Sequence, residues 1–128
     1  MALKTRSGKA GKKALKAGTG NRTIAKEVVF CRTLASQMRG LMFARKAEDR
    51  ALVMVFSEEK IVPLHMMFVF FPIDILFLDK SKKVAEMAIG AKPFISSILP
   101  KNKAMYVIEL PSGTIKSKRI RLGERLCF

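Results

Sequence analysis

The stretch LHMMFVFFPIDILFLD, residues 64–79, sets one histidine and two aspartates in an otherwise almost unbroken apolar run. It falls short of the roughly 20 apolar residues that a membrane-spanning helix needs, and Pro72 and Asp74 interrupt it. The run therefore reads as buried strand, with no membrane span. Proline has no N–H to give a β-ladder. The stretch thus divides at Pro72 into an entering segment, LHMMFVFF, and a strand, IDILFLD, in which Ile73, Ile75 and Phe77 alternate with Asp74, Leu76 and Leu78. This alternation predicts Ile75 and Phe77 in the core, together with Val107 and Ile108 of a later strand.

Working outward, DKSKK (79–83) reads as a polar hairpin loop into the strand KVAEMAIG, and AMYVIEL (104–110) as another strand. PSGTIKSKRI is a turn with one helical turn, and RLGERLCF is a closing strand. Upstream, TIAKEVVFCRT is strand-like, the segment from Thr33 has helical spacing through Leu34, Met38 and Leu41, and ALVMVF (51–56) is a strand ended by a turn at SEEK. The expected fold is β-rich α+β, a compact small barrel or sandwich of about six short strands with one or two short helices.

The chain has 25 Lys and Arg against 10 Asp and Glu, a net charge of +15, so its surface attracts polyanions such as nucleic acid or anionic headgroups. Seven of these cations fall in residues 1–22, a glycine-spaced stretch without acids. Its composition predicts a flexible basic arm with little apolar surface to bury, followed by a single globular domain at 23–128. The arm lacks the apolar region of a secretory signal, which points to a cytoplasmic protein. Cys31 and Cys127 form no metal or redox spacing. They read as free thiols, with a disulfide between terminal strands the alternative. No metal or cofactor is expected. A soft-metal role for Met66, Met67 and His65 competes with the ordinary use of Met as a core gap-filler.

The ordered motifs RGLMFA (39–44), LVMVF (52–56), HMMF with PIDILFLD (65–79), AKPF (91–94), YVIELPSG (106–113) and LGERL (122–126) resemble the domain of unknown function 192 family over about residues 28–128. The resemblance implies a small β-rich domain with a couple of short helices, found in exported and cytoplasmic settings, with no established activity. The family pattern carries Trp where this chain has His65, and Gly-Asp where it has Gly123-Glu124.

The ligand-cleft candidates are His65, Met66, Asp74 and Glu124, with His65, Met66 and Asp74 expected to border one concavity. For each there is a plainer role. Asp74 and Glu109, acids within apolar strands, must face solvent, pair with a cation or accept backbone donors. His65 serves equally as a strand-edge histidine. The nucleic-acid candidates are Lys9, Lys12, Lys13 and Lys16 of the arm and Lys116, Lys118, Arg119 and Arg121 of KSKRIR. Three function classes stand: a non-catalytic binding or interaction module, a nucleic-acid-associated protein using the basic arm, and an enzyme built on His65 and Asp74.

Overall fold

Pro72 sits immediately before a six-residue strand whose every side chain is buried, Ile73–Leu78. The structure, a computed structural model, describes residues 13–18, 22–32, 49–66, 69–94 and 97–128. Within these the elements are β1 (Leu15–Ala17), β2 (Arg22–Ala25), β3 (Glu27–Cys31), β4 (Arg50–Lys60), β5 (Ile73–Leu78), β6 (Val84–Ala91), β7 (Ala104–Pro111), α1 (Thr114–Ser117) and β8 (Leu126–Cys127). They form a five-stranded sheet in the order β3-β4-β7-β5-β6 and a three-stranded sheet in the order β2-β1-β8. The result is sandwich-like, with no closed barrel.

The alternation in β5 separates two buried faces; neither face is open to solvent. Leu76 and Leu78 point into a core shared with the small sheet, where they meet Leu15, Ala17, Ile24 and Leu126. Ile73, Ile75 and Phe77 point the other way, into a second cluster with Met54, Val107 and the loop residues Val62, Met66 and Val69. β5 lies between β7 and β6, which is why it reads as a near-continuous apolar run. Ile75, Phe77, Val107 and Ile108 are all buried as expected, Val107 and Ile108 on opposite faces of the sheet.

Residues 79–83 form the β5–β6 hairpin turn. The Asp79 carboxylate accepts the N–H groups of Ser81 and Lys83 at 2.8 and 3.0 Å. TIAKEVVFCRT is two strands with a bend at Lys26. SEEK is no turn: β4 continues through it to Lys60, past a register shift against β7. Among its described residues, the segment LHMMFVFF contributes a single bridge, Leu64 to Ile98. The helix expected from Thr33 onward lies outside the described residues.

Part of the basic stretch before Thr23 lies among the described residues. Residues 15–17 form β1, hydrogen-bonded on one side to β2 and on the other to β8. Leu15 and Ala17 are buried while Lys16 between them faces solvent. The apolar content of this stretch is small, but alternation concentrates it on one face, and β8 supplies the partner. Burying Leu15 alone contributes about 1.5–3 kcal/mol.

Candidate functional site

Asp74 is completely buried on β5, on the same face as Leu76 and Leu78. Its carboxylate accepts three backbone N–H groups. Gly90 donates to Oδ1 at 2.8 Å, and Gly113 and Ile115 donate to Oδ2 at 3.1 and 2.9 Å. Two of the donors come from residues with positive φ. Gly90 (φ 60°) stands where the β5–β6 register slips, so β6 carries one extra residue and the bulge turns an N–H toward Asp74. Gly113 (φ 91°) is the N-cap of α1 and has no capping side chain of its own; Asp74 supplies the cap from another strand. The carboxylate is thus fully engaged in joining β5, β6 and α1.

The other cleft candidates lie elsewhere. Met66 is buried in the second cluster, on the opposite face of the large sheet from Asp74. His65, its neighbour, is exposed on the loop. Glu124 is half-buried beside the small sheet. It accepts Arg22 Nη2 at 2.5 Å and the Arg121 N–H at 3.2 Å, at the side of an open depression of about 470 Å³ lined by Arg22, Arg121, Leu122, Gly123 and Glu124. The structure therefore brings neither Met66 nor Glu124 to Asp74, and the single concavity expected around His65, Met66 and Asp74 is not formed. Glu109, the other buried acid within a strand, shares its sheet face with Val107 and stands opposite Leu52 and Ile75 in the neighbouring strands. Among the described residues no three His, Cys, Asp or Glu groups converge in a way that would hold a metal ion. Cys31 is buried and Cys127 exposed, and the two form no disulfide with each other.

The basic candidates form two groups. Lys116, Lys118, Arg119 and Arg121 lie on α1 and the chain after it, and Arg22 Nη2 reaches the Arg119 carbonyl at 3.4 Å. This joins the end of the sequence's basic stretch to KSKRIR. Lys13 and Lys16 flank Leu15 at the other end of the small sheet; Lys16 is exposed on β1, and Lys13 Nζ lies 5.8 Å from the Phe30 ring. Lys9 and Lys12 lie outside the described residues.

Half of the chain's ten acids are bonded to backbone N–H groups. Asp74, Asp79, Glu59, Glu86 and Glu124 all accept backbone N–H groups; those on Glu86 come from Lys101 and Asn102 and the one on Glu59 from Lys80. Ion pairs between described residues are limited to Arg22–Glu124, Lys26–Asp49 and Arg50–Glu27. Sequence reasoning passed over Arg32 and Lys82, which stack on aromatic rings. An isolated basic residue gives no signal of this; only strand register brings a distant ring beneath it.

Residues 13–128 match the model of the DUF192 family, described as Uncharacterized ACR. The chain belongs to this family. The match includes β1 and β2, so it begins earlier than the motifs alone indicate. The chain is 29% identical to UPF0127 protein PF1050 of Pyrococcus furiosus, over 84% of this chain and 91% of that one. It spans 60% and 64% of the length of two longer Thermococcus relatives. A solved structure from Sinorhizobium meliloti 1021, described as a "putative transcription regulator", superposes with a TM-score of 0.82 at 25% identity, covering 92% of this chain and 94% of that one. A protein of unknown function from Novosphingobium aromaticivorans DSM 12444 shares the fold with a TM-score of 0.81 at 19% identity, covering 100% and 97%. No helix among the described residues of this DUF192 chain is long and apolar enough to cross a membrane.

Proposed function

We propose that this DUF192 domain is a non-catalytic binding module that associates with nucleic acid in the cytoplasm. The observation that carries the reading is the disposition of charge. With Asp74, Asp79, Glu59, Glu86 and Glu124 bonded to backbone N–H groups, Lys13, Lys16, Lys82, Lys116, Lys118, Arg119 and Arg121 form no ion pair with a described carboxylate. A phosphate backbone is the polyanion such a surface attracts, through counterion release and without base readout. The contact between Arg22 and Arg119 supports the reading, because it places two basic segments on one face. So does the description given to the Sinorhizobium meliloti neighbour. That Cys31 and Cys127 form no disulfide with each other suits a reducing compartment. The separation of exposed His65 from buried Asp74 argues against catalysis by that pair.

The test is a gel-shift and anisotropy titration of the full chain against labelled DNA and RNA over a salt series. Binding that weakens steeply as salt rises is expected. Absence of binding at low salt overturns the proposal.

A further inference from the structure

Three aromatic rings meet at one end of the sandwich. Phe30 ends the inward row of β3, Tyr106 lies on β7, and Phe128 follows β8. Phe128 stands edge-on to Tyr106 with centroids 5.3 Å apart, and tilted to Phe30 at 6.3 Å. All three rings are half-buried, packed on the core beneath the small sheet.

Three cations cover them. The Arg32 guanidinium lies 4.4 Å from the Phe30 centroid and Lys13 Nζ 5.8 Å from the same ring. Lys82 Nζ lies 4.2 Å from the Phe128 centroid and 5.6 Å from that of Tyr106, and donates to the Phe128 main-chain oxygen at 3.2 Å. Lys82 is held at φ 64°, a conformation that few residues other than glycine adopt. None of the three cations forms an ion pair with a described Asp or Glu side chain. The nearby acids of the hairpin side, Asp79 and Glu59, are bonded to the N–H groups of Ser81, Lys83 and Lys80.

We propose that this end of the sandwich is a single-strand nucleic-acid site, with bases stacking on Phe128 and Phe30 and phosphates held by Lys13, Arg32 and Lys82; it rests on the nucleic-acid reading above. A cation over a ring at an exposed site is weakly held. A phosphate draws each cation off its ring, and the uncovered ring face then takes a base. Only a single strand offers both groups together, because a duplex keeps its base faces stacked inside. The arrangement also lowers the cost of binding, since the rings hold the cations near where phosphates would sit. The chain adds to the attraction, because Lys4, Arg6, Lys9 and Lys12 precede Lys13 directly.

The experiment is fluorescence anisotropy of the full chain with labelled oligothymidylate, a duplex of equal length, and inorganic polyphosphate as competitor. The wild type is expected to prefer the single strand. Phe128→Leu, which keeps an apolar contact with the core, is expected to weaken single-strand binding about tenfold. Lys13→Gln and Arg32→Gln, at exposed positions, weaken it with an unchanged thermal midpoint. Equal binding of both nucleic acids with no effect of Phe128→Leu, or polyphosphate competing as well as oligothymidylate, overturns the aromatic site and leaves the nucleic-acid reading standing. Failure to bind either nucleic acid overturns both.

Discussion

The Asp74 carboxylate accepts the Ile115 N–H at 2.9 Å, 41 positions further along the chain, and in doing so fixes the start of α1 against the large sheet. Three backbone donors converge on this one side chain, and no solvent reaches it. Asp74→Asn replaces one accepting oxygen with a donor that faces N–H groups. The expected loss is about 3 kcal/mol, given that charge-assisted hydrogen bonds contribute roughly 1.5–3 kcal/mol each and an unsatisfied buried donor adds to the cost. Urea denaturation measures it, and faster hydrogen exchange at Gly113 and Ile115 identifies the cause. A change below about 1 kcal/mol would show that the network contributes little.

Leu15 tests whether the lysine-rich start belongs to the fold. Leu15→Ala is expected to cost about 2–5 kcal/mol, the range for a large-to-small change at a fully buried site. A chain beginning at Thr23 also lacks Ala17 and Arg22 and should show a lower thermal midpoint. An unaltered midpoint in both would mean that β1 docks without stabilising the protein.

Salt dependence counts the phosphate contacts. If Lys13, Arg32 and Lys82 each hold one phosphate, log affinity for a single strand should fall with log salt at a slope of about −2, at roughly −0.7 per contact. Replacing any one of them with Gln should flatten the slope by about a third. A slope unchanged in all three variants assigns the contacts to other lysines.

Phe94 carries a bulky side chain at φ 64°, over half exposed, with its ring edge-to-face with that of Phe70 at 5.4 Å. Left-handed backbone costs an L-residue about 1–2 kcal/mol, and glycine avoids most of it. Phe94→Gly gives up one exposed ring contact and releases that strain. Stability is expected to stay level or rise by about 1 kcal/mol in thermal denaturation; a marked fall would mean that the Phe70 contact outweighs the strain.

The parts of the fold legible in the sequence are those with local causes. Pro72 marks the start of β5 because it cannot donate, Asp79 marks a turn because its carboxylate bonds forward along its own chain, and period two sorts Ile75 from Leu76. β1 was illegible for the opposite reason. Leu15 and Ala17 are two apolar residues among lysines, and only pairing with β2 and the distant β8 makes them a strand. The candidate site divides in the same way. Asp74 stands out as an acid in an apolar run, but backbone N–H groups leave no side-chain pattern that would announce them as its partners. Phe30, Tyr106 and Phe128 are widely separated in sequence, and only register brings their rings together.

The pairing of Lys16 with Cys127 also sets a schedule for biosynthesis. One edge of β1 can meet β2 soon after emerging from the ribosome, but the other has no partner until the last residues of β8 are released. Until β8 is made the nascent chain therefore carries an open strand edge beside a run of lysines, and those charges guard it against pairing with other chains. Contacts of such sequence separation form slowly. The small sheet is accordingly completed only once β8 is available, as a clasp between two distant parts of the sequence.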